Sequence, residues 1–311
     1  VSGANLKAHT IGWIGAGGRM GFSMAKRLLE AGCDVSAYNR TRSKVEPLAK
    51  LRARIVSTPR DLGDRDIVFT TVSTSDDLVA VTSGPEGLLA GARFPKLLVD
   101  CSTISEEASA EVRAAATRRG TQMLSAPMSG NAKVVKAGKL TIVASGPRAA
   151  YDLAEPYLAA LGIGVTYAGE GEVARMVKIC HNLMLGVVAQ CLAEITVLAE
   201  KSGVPRHAFL EFLNSSVVGS MFTRYKTPAF VNLDLTPTFT PVLLRKDLDL
   251  GLKAGKELGV PLPVTQAARD VIDKAVRAGH TECDFAVLLL EEAKAAGLAL
   301  EPENVTVADG L

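Results

Sequence analysis

Apolar residues come in two rhythms along this chain, and the rhythm changes once. Up to about residue 167, short apolar runs at 9–14, 34–38, 67–72, 97–101, 121–125, 141–144 and 165–167 alternate with helical patterns at 20–31, 106–119 and 148–161. Unbroken apolar runs bounded by turns read as strands buried on both faces. Strand followed by helix, repeated, predicts a mostly parallel sheet covered on both sides. After residue 167 the β-branched runs stop. Residues 172–202 read as one long helix, closed by Gly203 and then Pro205. At 1.5 Å per residue it would be about 46 Å long, which suits the spine of a second domain. Helices near 206–215, 240–258, 264–278 and 285–296 are expected to pack around it. The pattern therefore predicts an α/β domain over residues 1–168 and an all-helical domain over 169–311.

Composition narrows the class. The 311 residues are 48% hydrophobic, and 35 Lys and Arg stand against 33 Asp and Glu, a net charge of +2. That balance excludes a disordered chain and a charge-driven binder of nucleic acid, and no aromatic-laced basic stripe points the other way. The five cysteines, Cys33, Cys101, Cys180, Cys191 and Cys283, are scattered, odd in number and without a C-x-x-C pair. Reduced thiols in a cytoplasmic protein are expected, and residues 1–18 show no secretory pattern. His9, His181, His207 and His280 have no zinc-ligand spacing with the cysteines, so no metal is expected. The stretch 179–199 is long enough for a bilayer and has Glu194 as its one charged residue, but it also carries His181, Asn182 and Gln190. Polar groups on several turns would be costly in lipid, so a buried spine is expected and a membrane partner is not.

The run at 9–14 leads into Gly15-Ala16-Gly17-Gly18-Arg19-Met20-Gly21 and then an amphipathic helix. Glycines permit positive φ and close approach of backbone N–H groups to a pyrophosphate at a helix N-terminus, so Gly15, Ala16, Gly17, Gly18, Arg19 and Met20 are cofactor-binding candidates. The match to the dinucleotide fingerprint is imperfect, because Met20 takes the third glycine position and Gly21 comes one residue late. At the end of the second strand an NAD site usually has an acidic residue for the ribose. Here the residues are Asn39, Arg40 and Thr41. An amide does not repel a 2′-phosphate and an arginine binds one, which favours NADP(H) over NAD(H), although a solvated helix start would carry Arg40, Arg42 and Lys44 equally well.

Three further segments follow: Asp100-Cys101-Ser102-Thr103, Ala126-Pro127-Met128-Ser129-Gly130-Asn131, and Gly169-Glu170-Gly171 leading to Lys178-Ile179-Cys180-His181-Asn182. Together with Lys246-Asp247-Leu248 and Gly279 to Phe285, they resemble the β-hydroxyacid dehydrogenase family over residues 10–295. The resemblance implies a Rossmann N-terminal domain, an all-α C-terminal domain as in 6-phosphogluconate dehydrogenase, and an active site in the cleft between them. It assigns the family lysine to Lys178, its asparagine to Asn182, and the substrate-binding Ser-Gly to Ser129 and Gly130, with Asn131 alongside. Thr103 falls near the nicotinamide, and Lys246 reaches cofactor or substrate from the helical domain. Val72 and Ser73 complete the cofactor set. Asn131 stands where the family has a second glycine, and Val134-Val135 where it has Gly-Ala. The acid glutamate of the 6-phosphogluconate enzyme falls on Leu185, so decarboxylation is not expected.

The residue chemistry agrees independently. A hydroxyacid must lose its hydroxyl proton as hydride leaves the same carbon, and in reduction the alkoxide must regain one. A lysine does both if burial lowers its pKa from about 10.4. Lys178 lies near the positive end of an apolar helix, and Asn182 at i+4 shares its face. The expected function is NADP(H)-dependent interconversion of a short β-hydroxyacid carboxylate and its semialdehyde or oxo-acid, in a homodimer or homotetramer. A non-catalytic NADP-binding scaffold and an imine reductase are the alternatives, and both resemble this family without its lysine. The segment 215–224 is expected at the substrate end, where Met221 or Arg224 would select acid length.

Overall fold

The computed structural model describes residues 5–311. Its packing divides into two compact units, 1–178 and 179–311. In the first, the strands are β1 (Ile11–Ile14), β2 (Val35–Tyr38), β3 (Arg54–Ile55), β4 (Ile67–Thr70), β5 (Leu97–Asp100), β6 (Gln122–Ser125), β7 (Met128–Ser129), β8 (Leu140–Ser145) and β9 (Gly162–Gly169). They form one sheet in the order β3-β2-β1-β4-β5-β6-β8-β7, with β9 beside β8. β1 to β6 pair parallel, β8 runs antiparallel to β6 and β7, and β9 is parallel to β8. The helices here are α1 (Arg19–Glu30), α2 (Ser75–Ser83), α3 (Glu106–Arg118), α4 (Ala132–Lys136) and α5 (Arg148–Ala159).

The buried apolar runs make strands because successive side chains enter opposite cores. Ile11, Trp13, Phe69, Leu97 and Val99 enter one, while Ile14, Val68, Leu98 and Met123 enter the other. The Trp13 and Phe69 rings stack at 5.0 Å across neighbouring strands. Strand order reverses at β1, flanked by β2 and β4, which is where an open parallel sheet leaves a crevice at its C-terminal edge. The architecture is the α/β Rossmann domain plus all-α domain that the sequence implied.

The long helix, α6, spans Val173–Lys201, one residue shorter at each end than the pattern suggested. The break between compact units falls within it, because its first turns, with Ala174 and Arg175 buried, pack with the sheet unit. It is the one helix, among the described residues, long and apolar enough to cross a membrane, yet half of that apolar stretch is buried in the protein. Around it stand α7 (Arg206–Ser215), α8 (Met221–Asn232), α9 (Pro241–Leu258), α10 (Pro263–Arg277) and α11 (Leu288–Ala295). Ala189, Leu192, Ala193 and Val197 of α6 meet Leu244, Leu248, Ile272 and Leu288 in one core. Gly186 and Gly251 let α6 and α9 approach, since a side chain on either would strike Leu248 or Leu183.

The sequence pattern missed α2, α4 and α8. Pro228 sits inside α8, where it reads as a breaker, but Ser220 and Thr223 form a capping box that starts the helix regardless. Within the helical unit Lys226, almost fully buried, donates to Asp284 and to Thr238 Oγ1, with its ammonium 4.1 Å from the Phe285 ring centre. Burial pushes the Asp284 carboxyl up. The Lys226 charge and the hydrogen bonds from Lys226, Thr238 and the Ala286 N–H outweigh it and hold the group below its ordinary 3.8. A depressed carboxylate stabilises the fold fully above about pH 4, and that stabilisation is lost as pH falls through the folded-state value. Lys226→Met strands the carboxylate, so the fold should lose about 3–5 kcal/mol at pH 7. Denaturant titrations should show this deficit shrinking toward pH 5 as the unpaired acid takes a proton. A deficit constant from pH 5 to 8 would contradict the assignment.

Candidate active site

The residues expected at the cofactor gather at the C-terminal edge of the sheet. Gly15 has φ +84°, and a side chain there would run into the Thr71 carbonyl at the end of β4. The Gly15 and Ala16 N–H groups donate to the Tyr38 carbonyl, which ties the loop to β2. A side chain at Gly21 would meet the Gly15 carbonyl, so Gly21 performs the close helix-to-loop packing of the third fingerprint glycine despite coming one residue late. No side chain caps α1, and no acidic residue occupies its first turn. An unblocked positive helix end above a glycine cradle fits a pyrophosphate. Beside it, a groove of about 660 Å³ is lined by Gly17, Gly18, Arg19, Lys26, Lys44 and Lys136 among others, which concentrates cations in a nearly neutral protein.

Asn39 does not hold its side chain out for a ribose. Its Oδ1 accepts from the Gly17 N–H at 3.1 Å and its Nδ2 donates to the Thr41 carbonyl at 2.9 Å, so it braces the glycine loop. Arg40 is 86% exposed and pairs with Asp77 at 3.3 Å. Such a surface pair is worth little and does not prevent the guanidinium from meeting a phosphate.

At the ends of β4 and β5 the Val72 N–H donates to Ser102 Oγ, which in turn donates to Asp100 Oδ1 at 2.7 Å. Val72, Ser73 and Thr103 are thus carried on loops fastened to one buried carboxylate. Burial, reinforced by Asp100, pushes the Cys101 thiol far up, so it is no nucleophile. Gly130, at the end of β7, has φ +135°. Asn131 caps α4, its Oδ1 accepting from the N–H groups of Lys133 and Val134. This explains its departure from a glycine pattern: it starts a short helix that buries Val134 and Val135. Its own Nδ2 is buried without a protein acceptor.

Lys178 is half-buried in the second turn of α6. Asn182, buried on the next turn, donates through Nδ2 to Asp247 Oδ2, and its Oδ1 lies 2.8 Å from His181 Nδ1. Asp247 is 2% exposed and pairs with Lys246 at 3.1 Å. A single carboxylate on α9 therefore sets both Asn182 and Lys246. Arg224 donates to the Asn214 carbonyl, holding the α7–α8 connection. Sequence reasoning assigned no role to Asp247, Arg175 or Glu172. A charged arginine inside an apolar helix start was the signal for the second.

Comparison with known proteins bears on the family and the fold. Residues 10–169 match the family described as the NAD binding domain of 6-phosphogluconate dehydrogenase, and residues 169–290 match that described as the NAD-binding domain of NADP-dependent 3-hydroxyisobutyrate dehydrogenase. The chain is 30% identical over 290 residues to 2-(hydroxymethyl)glutarate dehydrogenase of Eubacterium barkeri, covering 92% of this chain and 96% of that one. It is 29% identical to glyoxylate/succinic semialdehyde reductase 2 of Arabidopsis thaliana, covering 94% and 81%. Among solved structures, 3-hydroxyisobutyrate dehydrogenase of Salmonella typhimurium superposes with a TM-score of 0.83 at 26% identity, covering 91% and 99%.

Proposed function

Because this chain belongs to the β-hydroxyacid dehydrogenase family and is an NAD(P)-dependent oxidoreductase, we propose that it interconverts a short β-hydroxyacid and its semialdehyde or oxo-acid, with NADP(H) preferred and Lys178 as general acid/base. The observation that carries the reading is Lys178 one helical turn before an asparagine whose amide is already oriented by Asp247 and His181. The nicotinamide, when bound, accepts or donates the hydride. In oxidation the neutral Lys178 amine takes the hydroxyl proton, and in reduction its ammonium protonates the developing alkoxide. One hydrogen of the Asn182 amide is committed to Asp247, and the other serves the substrate oxygen.

The substrate carboxylate is assigned to Ser129, the Gly130 N–H and the Asn131 amide. A buried donor without an acceptor costs about 1–3 kcal/mol, and a bound carboxylate relieves that cost at Asn131 Nδ2. Lys246 is also assigned to cofactor or substrate. Preference for NADP(H) is supported by the absence of an acid at Asn39 and by the weakly engaged Arg40. The imine reductase and scaffold readings both require a family member without the lysine, and Lys178 is present. Free thiols, two of them buried, support a reducing cytoplasmic setting.

Val173, Val177, Met184 and Leu198 lie exposed along α6, an apolar stripe that supports self-association as a homodimer or homotetramer. Light scattering at micromolar concentration should return a dimer mass or greater, and a monomer would refute it. Lys178→Ala should lower kcat by at least about a thousandfold on the best substrate from a panel of small hydroxyacids and semialdehydes. Full turnover in that variant would sink the mechanism. Arg40→Ala should raise the KM for NADPH about 10–100-fold and leave that for NADH unchanged. An equal effect on both cofactors would remove the basis for the preference.

A further inference from the structure

We propose that Arg175 is a positioning residue: its ion pair with Asp100 locks the root of α6, and with it Lys178, onto the two strand-end loops that carry Val72 and Thr103. The proposal rests on the reading of Lys178 as general acid/base. Arg175 is 1% exposed and Asp100 not at all. The guanidinium addresses three acceptors in three directions: Asp100 Oδ2 from Nη2 at 2.6 Å, the Ser102 carbonyl from Nη1 at 2.7 Å, and Ser109 Oγ from Nε at 3.2 Å. This planar fork defines orientation as well as distance, and a lysine cannot reproduce it.

Asp100 relays the hold. Its Oδ1 accepts from Thr70 Oγ1 at 2.6 Å and from the Ser102 N–H and Oγ, and Ser102 Oγ accepts from the Val72 N–H. The ends of β4 and β5 thus converge on the same carboxylate that grips α6. A second clamp lies just before the helix begins. Glu172 accepts from Arg113, Ser109 and Ser125, and Ser125 ends β6 on the approach to Ser129. Burial pushes the Glu172 carboxyl up, but the hydrogen bonds from Arg113 and Ser109 hold it below its ordinary value, so it stays charged.

Lys178 follows Arg175 by one helical turn, so a rotation of the root carries the amine with it. Stability alone is a poor account of the pair, because a buried ion pair gains little over well-packed apolar residues. What the fork adds is a defined geometry, and a misplacement of about 1 Å in an active site can cost about a hundredfold in rate.

The test compares Arg175→Lys with the charge-neutral double variant Asp100→Asn/Arg175→Met, which avoids a stranded buried charge if the single variant fails to fold. Both should lose about 10–100-fold in kcat, and in Arg175→Lys, which leaves the bonds of Asp100 to Thr70 and Ser102 in place, the dissociation constant for NADPH, read by fluorescence, should stay within about threefold. The pH profile of kcat should shift on the limb governed by Lys178. If activity falls only in step with thermal stability and the profile is unmoved, the pair is structural and the proposal is overturned. Lys178→Ala, run alongside, separates the two readings. A dead Lys178→Ala beside wild-type kcat and profile in both Arg175 variants overturns the positioning role alone, whereas an active Lys178→Ala removes both.

Discussion

A carboxylate buried at the end of a central strand cannot stand alone. Asp100 has no exposure, and the desolvation of such a charge is compensated only by close partners and filled lone pairs. Here those partners are the β4 hydroxyl of Thr70, the backbone and hydroxyl of Ser102, and the guanidinium of Arg175. Each partner belongs to a segment proposed to serve cofactor binding or proton transfer. The C-terminal edge of a parallel sheet is where backbone and loops are available for binding, and one charge requirement draws them to a common origin.

Charge is used locally in the rest of the protein as well. With a net charge of +2 the molecule has no long-range field to draw in an anionic cofactor and substrate. Cations are instead concentrated around the glycine loop, and the first turn of α1 has neither a side-chain cap nor an acid. The same economy governs Asn39. Its amide is spent on holding Gly17 and Thr41, so the loop is shaped before any nucleotide arrives, and Arg40 and Thr41 are the neighbours proposed to meet a 2′-phosphate.

The α/β half was legible because its signals are local: apolar runs of strand length, glycine at a required positive φ, and helical patterns alternating with the strands. Arg206–Ser215 even matched to the residue. The long helix was legible from its stop signals, but the packing of its first turn was not, since Arg175 is buried against residues some 70 positions earlier. α8 was hidden by Pro228, whose local penalty is overridden by a capping box and by the burial of Phe230 and Val231. In the candidate site, the residues proposed to react or to bind ligand were singled out by motif. Arg175, Glu172 and Asp247, proposed to aim them, were not, because their partners are remote in sequence.

Three buried carboxylates, Asp284, Asp247 and Asp100, show how a proposed role in orientation differs from plain structure. Asp284 is enclosed by Lys226, Thr238 and the N–H groups of Phe239 and Ala286, none of them assigned to cofactor or substrate. Asp247 by contrast accepts from Asn182 and faces Lys246, both assigned to the substrate, and Asp100 accepts from the turn that precedes Lys178. The energetic demand is the same in all three, a charge removed from water. Only in the latter two is it met by groups proposed to take part in the reaction, and on that reading the folding requirement and the geometric requirement of the active site are satisfied by the same hydrogen bonds.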